Sequence, residues 1–455
     1  MIPFGVGIAA GLPIAEKIGA GKDQASWIAA SYPLTQGAFV LAGGRIGSIF
    51  GPRKVLIYSA SWWVLWHLIS GFTRNIIGLC FTRGLAGIGG GFLVPNAIAL
   101  IGMNVPPGKM RNIAMGAFGA MAPIGAVGGG VFSGLFTELA HWKWTFFFLA
   151  MVGTVVFGLS AIAAPPDEIL PSGNNSIDWL GSYLGIGGLI LFGFVFNQAP
   201  SVGWREPYVY VLLIVSVAHL IAFMFWERNF AENPLLPFDI WIAPSFGALV
   251  GASLLTFMSF GVVLWYFFIW LETVKDYSIL LSAAGISPFV VFGPVAAFVS
   301  AWLIPRLRAQ YILATGALCV IVPTILLATS PIDQIYWAQI FPGVLIMTFC
   351  PDFVFTAAQI IASNAVKRHE QGIAGSLIGA LITYGQSIGL GLAGSVERYA
   401  PNGSHSTELG IRNALYFGIG LGALALIIAL VFVRMAVHTQ EGWGKEDAED
   451  TGVLP

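Results

Sequence analysis

Apolar runs of about twenty residues recur from one end of this chain to the other, the length at which a helix crosses the hydrocarbon of a bilayer. They fall near 26–44, 54–72, 77–102, 112–136 and 143–164, then 179–198 and 207–226, then 243–271, 279–303, 310–329, 335–363, 372–396 and 412–436. The runs are continuous rather than alternating, so they read as helices that pair their own backbone groups and not as strands of a transmembrane barrel. Only 9% of residues are charged and 57% are hydrophobic, with a mean hydropathy of +0.81. Soluble chains carry about 25% charged residues, so this one has too little polar surface to cover itself in water. An all-α polytopic membrane protein follows.

A shorter apolar run at 1–14 stops at Ala15-Glu16-Lys17 and reads as an incomplete first helix. With it the segments number about fourteen, divided six, two and six by polar stretches at 165–178 and 227–239. The expected organisation is a six-helix half over 1–164, a linker with two extra helices over 165–242, a second six-helix half over 243–437 and a polar tail over 438–455. Two related six-helix halves place a site between them near the midplane. Lys and Arg divide roughly twelve to eight in favour of the loops that share a side with Arg53 and Lys54, which makes that side and both termini cytoplasmic. Asn402-Gly403-Ser404 then lies in an outer loop, and Asn402 is a candidate for glycosylation.

The net charge of −1 argues against nucleic acid or another polyanionic partner. Cys80, Cys319 and Cys350 sit in apolar runs without paired spacing, so they are packing residues and hold no metal. Neither a zinc-type His/Glu spacing nor a phosphate-binding glycine loop followed by Lys-Ser/Thr is present, which excludes the usual membrane enzymes and ATP-driven transport by this chain alone. The expected partners are the lipid bilayer, a small-molecule substrate and protons, with no cofactor and a monomeric chain.

Between the second and third runs lies Gly43-Gly44-Arg45-Ile46-Gly47-Ser48-Ile49-Phe50-Gly51-Pro52-Arg53-Lys54. Glycines let two helix ends approach, and the basic pair holds the turn on one side of the membrane. This resembles the signature loop of the major facilitator superfamily, roughly G-x-x-x-D-R-x-G-R-R/K. Gly44, Gly51, Arg53 and Lys54 match it, while Ser48 replaces the usual aspartate and Ile49 the arginine. In that family the aspartate latches the loop by a salt bridge, so the resemblance implies a conformational switch whose balance Ser48 shifts.

Further motifs resemble the fourteen-helix drug–proton antiporter branch, including its fungal aminotriazole-resistance-like members. Arg83-Gly84-Leu85-Ala86-Gly87 is similar to a stretch whose arginine is linked there to proton coupling. The run from Gly116 through Gly119, Pro123, Gly125 and Gly129 is similar to the antiporter-type fifth helix, with Ala122 in place of a glycine. Trp142-Lys143-Trp144-Thr145-Phe146 and Trp226-Glu227-Arg228 with Pro234-Leu235-Leu236 also match. The resemblance implies two six-helix halves, two inserted helices and proton antiport.

Proton coupling calls for a carboxylate that changes its protonation within the membrane. Asp352, beside Pro351, is the acid deepest within an apolar run, whereas Glu138, Glu272 and Glu397 stand at helix ends where solvated acids are normal. Tyr32, Gln36, Asn96, Trp265, Tyr266, Gln359, Tyr384 and Gln386 are candidate lining of a roomy, largely apolar cavity with aromatic faces for cations. The function expected is export of small organic compounds by proton antiport, at the plasma membrane or an endomembrane such as the vacuole. A carrier of a small polar or inorganic solute, such as ammonium or borate, is the alternative, because buried acids are few.

Overall fold

The computed structural model describes residues 1–105, 109–167, 176–232, 234–236, 241, 245–304, 306–365, 371–399 and 406–434. Asn402, the tail after 434 and the loop residues Lys367 and Arg368 lie outside them. Within the described residues the regular structure is helical. The first group is α1 (Ile2–Ile18), α2 (Lys22–Phe50), α3 (Pro52–Phe72), α4 (Ile76–Asn104), α5 (Lys109–Leu139) and α6 (Lys143–Ala163). A hairpin follows, α7 (Trp179–Val202) and α8 (Pro207–Asn229). The second group is α9 (Phe246–Thr273), α10 (Ile279–Gly285), α11 (Pro288–Leu303), α12 (Ala309–Ala328), α13 (Ile340–Met347), α14 (Phe349–Ala365), α15 (Gln371–Arg398) and α16 (Ser406–Val431).

Twelve spans among the described residues are long and apolar enough to cross a membrane. Two of them are broken helices, α10–α11 (Ile279–Ser300) and α13–α14 (Ile340–Ala362). With α1 and α2 they make the fourteen-helix, multi-pass membrane fold. The breaks have local causes. Pro288 has no N–H to continue α10, and the chain tightens to three-residue hydrogen bonds, Ile286 N to Ala283 O (3.3 Å) and Ser287 N to Ala284 O (3.0 Å). Pro351 likewise leaves the Met347 carbonyl without its amide, and the helix interrupts at Thr348. The apolar runs at 279–303 and 335–363 thus each form one span with a break inside it.

In hydrocarbon there is no hydrophobic force between helices, so close backbone packing holds them. Prolines and glycines cooperate in this. Pro95 frees the Gly91 carbonyl of α4, and a Cβ on Gly43 of α2 would stand 2.8 Å from that oxygen. Pro200 does the same for Phe196 of α7, on which Gly391 of α15 lies so close that no side chain fits. The halves meet where α2 packs on α15, α1 on α9, and α5 on α10 and α11. The inserted α7 lies on both α2 and α15. Tyr384 Oη donates to Leu189 O (2.5 Å), Asn197 Nδ2 to Ser387 Oγ (3.2 Å) and Trp27 Nε1 to Gln198 Oε1 (2.9 Å).

Candidate functional site

Where α2 starts and α9 and α15 end, the halves leave a cavity of about 310 Å³ at the end of the molecule opposite the Gly51 turn. Leu12 of α1 with Lys22 and Ser26 of α2 form one wall. Trp265, Tyr266 and Ile269 of α9 face them, and Leu390, Gly394 and Glu397 of α15 close the side. Thr273 of α9, Arg398 of α15, Thr407 of α16 and Pro200 of α7 complete the lining, so an inserted helix contributes to the site. Apolar and polar groups share the lining, an arrangement suited to an amphipathic solute.

Tyr266 Oη donates to Glu397 Oε2 at 2.7 Å. Tyr266 is buried, and a buried phenol keeps a hydrogen-bond partner, which here is the carboxylate. Arg398, the next residue, is taken up by the end of α7: its Nη1 donates to Pro200 O (2.5 Å) and Ser201 O (2.6 Å). On α16 Arg412 pairs with Glu408 (Nε to Oε1, 2.9 Å) and also donates to Ala328 O and to Ser330 O (Nη2, 2.8 Å).

Of the eight residues expected to line one cavity, Trp265 and Tyr266 line this one. The others lie elsewhere in contacts between helices. Tyr32 Oη accepts from Trp63 Nε1 (3.1 Å), and Gln36 is buried beside the α4 glycines. Asn96 Nδ2 donates to Gly43 O (3.0 Å) and Phe92 O (2.7 Å), and Gln359 Nε2 to Gly375 O (3.2 Å). Tyr384 binds α7 as above, and the backbone of Gln386 lies against Gly261. The expected lining is therefore dispersed.

Arg83 is wholly buried. Its Nε donates to Ile28 O (2.8 Å) of α2, its Nη2 to Pro3 O (2.8 Å) of α1, and its guanidinium carbon lies 5.9 Å from the centre of the Phe146 ring. Snorkelling toward a helix end is thereby excluded; the cation clamps three helices through carbonyls. Asp352 stands in the first turn of α14, half-buried, and its Oδ2 has no hydrogen-bond partner among the described residues. On α5, Pro123 packs under Gly293 of α11, Gly125 lies beside Ile2 and Gly129 meets the Ile2 backbone, while Gly119 faces open space.

The turn between α2 and α3 is anchored by a residue that no motif pointed to. Gly51 has φ +97°, a conformation that suits glycine, and a side chain there would run into Asp167. The Asp167 carboxylate accepts from Arg53 N (2.8 Å) and Lys54 N (3.1 Å), so it caps α3 from beyond the end of α6. Arg53 Nη2 donates to Ala161 O (3.0 Å), and Arg45 reaches Ser176 O (3.5 Å). Ser48 turns back on its own helix, Oγ to Arg45 O at 2.8 Å, and Gly44 lies beside Ser376 of α15. The Trp226-Glu227 motif also closes on itself. Glu227 accepts from Leu235 N and Leu236 N (both 3.2 Å), and Trp226 Nε1 donates to Asp178 Oδ2 (2.9 Å).

Known proteins agree with this architecture. The Low affinity ammonium transporter of Saccharomyces cerevisiae is 36% identical over 420 residues, covering 90% of this chain and 81% of that protein. The Aminotriazole resistance protein of the same yeast is 32% identical over 426 residues, 92% of this chain and 79% of that one. A crystal structure of a POT family transporter in complex with a thioalcohol-conjugated peptide superposes with a TM-score of 0.68 at 14% identity, covering 94% of this chain and 91% of that chain, which speaks for the fold. The sequence pattern of the Major Facilitator Superfamily matches residues 3–390, and the chain belongs to that superfamily.

Proposed function

We propose that this secondary transporter exports small organic compounds by proton antiport, the two halves rocking about the cavity bounded by Lys22, Trp265, Tyr266 and Glu397. The observation that carries the reading is that cavity itself, because it lies between the halves and joins aromatic and aliphatic walls to a few charged groups. Export by antiport is supported by the α5 motif from Gly119 to Gly129, by the two inserted helices and by the likeness to a protein named for aminotriazole resistance. The same features support placement in the fourteen-helix drug–proton antiporter branch. Asp352 is the proposed proton carrier in the second half, since one of its oxygens is buried without a partner, and Arg83 is its proposed counterpart in the first. The remaining candidates, Tyr32, Gln36, Asn96, Gln359, Tyr384 and Gln386, stand on the helices that would have to slide past one another. The excess of Lys and Arg on the Arg53 side supports cytoplasmic termini, and the reading takes the chain as a monomer in the plasma membrane or an endomembrane.

The test is efflux from vesicles under an imposed proton gradient. Uptake or release of small aromatic amines that follows the gradient supports the reading, and movement that ignores the gradient removes proton antiport. In the Asp352→Asn variant the gradient-driven component should be lost while exchange of substrate for substrate persists. A second reading, a carrier of ammonium or a similar small solute, is favoured by the 36% identity to the yeast ammonium transporter. Counterflow of methylammonium without any gradient would select it.

A further inference from the structure

The two halves grip the inserted hairpin differently. Toward the second half, α7 is bonded to α15 along its length. Tyr384 Oη donates to Leu189 O (2.5 Å), Asn197 Nδ2 to Ser387 Oγ (3.2 Å) and Arg398 Nη1 to Pro200 O (2.5 Å), and just past the end of α7 Trp204 Nε1 donates to Ser395 Oγ (3.2 Å). Between these bonds the backbones interlock: a Cβ on Gly391 would run into the Phe196 carbonyl and stand 2.8 Å from Asn197 N. Backbone seated on backbone does not slide without lifting apart. Toward the first half, α7 meets α2 through the ends of side chains. Trp27 Nε1 donates to Gln198 Oε1 (2.9 Å), the Trp27 ring tilts over Phe194 (5.3 Å between centroids), and Leu34 lays a methyl group over Gly193. Such contacts exchange neighbours by changing rotamer, which is how packed helices shear.

The hairpin itself is one unit. Trp226 Nε1 ties the end of α8 to Asp178 at the start of α7 (2.9 Å), and Gln198 Nε2 donates to Tyr208 Oη of α8 (3.0 Å). At its inner end Glu227 holds Leu235 N and Leu236 N (both 3.2 Å), in the segment that leads on to α9. On the side of the first half, Arg45 reaches Ser176 O at 3.5 Å. We infer that the inserted hairpin is a fixed part of the second half, so that six spans move against eight, and that α2 slides along α7 with Trp27–Gln198 as the contact that parts. The inference rests on the rocking of halves proposed above and adds which body carries the hairpin. Ser26 and Pro200, close in sequence to Trp27 and Gln198, both line the cavity, so the contact that parts is the one beside the cavity.

The experiment is cross-linking in the full-length chain without its native cysteines, reconstituted in vesicles and treated with a short bifunctional methanethiosulfonate. Efflux of small aromatic amines under a proton gradient is read before and after reduction. Asn197→Cys with Ser387→Cys ties α7 to α15, and Leu34→Cys with Gly193→Cys ties α7 to α2, where a Cβ on Gly193 stands 3.4 Å from Leu34 Cγ. The first link should leave efflux within about twofold of the reduced form, and the second should lower it about tenfold or more until reductant is added. Efflux that stops in the first, or continues in the second, overturns the inference. If the first pair does not fold, Trp204→Cys with Ser395→Cys takes its place. Efflux by the cysteine-free parent is scored separately, and its absence removes the transport reading. The inference is then decided by spin labels at the exposed positions Tyr210 of α8, Leu409 of α16 and Ile77 of α4. A narrower distance distribution from Tyr210 to Leu409 than from Tyr210 to Ile77 supports it, and equal widths overturn it.

Discussion

Arg83 carries its charge where no carboxylate joins it among the described residues, held by two helix carbonyls and an aromatic ring. As helix carbonyls, Pro3 O and Ile28 O each have an amide of their own four residues on, so loss of the guanidinium does not orphan them. Burying a cation is costly, and removing it returns that cost. Arg83→Met should therefore keep the fold to within about 1 kcal/mol, read as thermal stability in detergent, while transport falls at least tenfold. Parallel loss of both would make Arg83 a structural clamp and nothing more. At Gly391 the reverse is expected. Gly391→Ala drives a methyl group into the Phe196 backbone and should lower stability by roughly 1–3 kcal/mol, whereas Gly420→Ala, with nothing within 4 Å, should be neutral in the same assay. Arg83 was legible in the sequence because a charge inside an apolar run has to face protein. Glu397 was not: the sequence gives its depth at a helix end, where acids are normally solvated, but not the Tyr266 hydroxyl brought to it from 131 residues away.

Among the elements, the α2–α3 turn departs most from its sequence reading. With Ser48 in place of aspartate the motif reads as a latch that has lost its acid. The structure supplies a carboxylate from another direction, Asp167, bonded to backbone amides rather than to an arginine side chain. Asp167→Ala should cost about 1–2 kcal/mol at the α3 N-terminus and speed hydrogen exchange at the Arg53 and Lys54 amides. Exchange unchanged at those two amides would mean that the cap is idle in solution. The helices themselves were largely readable, because spanning length and Pro/Gly punctuation are local properties. Pro351 and Pro288 were visible too, yet whether a proline kinks a helix or interrupts it depends on what packs beside it. Asp167 was out of reach for a different reason: it lies 114 residues beyond Arg53, past three more helices, in a stretch that reads as polar loop.

At the scale of the whole molecule, two seams join the halves, one between α2 and α15 and one between α5 and the α10–α11 pair. The proposed rocking opens each seam at one end and closes it at the other. Gly134 of α5 lies so near Leu280 that a Cβ there would be 3.4 Å from its Cα. In a background without the native cysteines, Gly134→Cys with Leu280→Cys should form a disulfide and stop transport until it is reduced. Transport that continues in the cross-linked protein would exclude opening at that end. Beside the other seam, where α7 lies on α2, Trp27→Phe and Gln198→Ala should be coupled by about 0.5–1.5 kcal/mol in a double-mutant cycle on stability. The six residues that lie outside the cavity belong to this scale: their polarity and depth were legible, but not that most of them fasten helices to one another.

The placement of α7 has a consequence for the route a greasy solute takes. It lies along α2 and α15 together and shields that seam from lipid, whereas among the described residues nothing comparable covers the seam at α5. The molecule is thus two-sided toward the bilayer. For a transporter that loads from within the membrane, the α7 side would be the closed wall and the joint at α5 the side left to enter by.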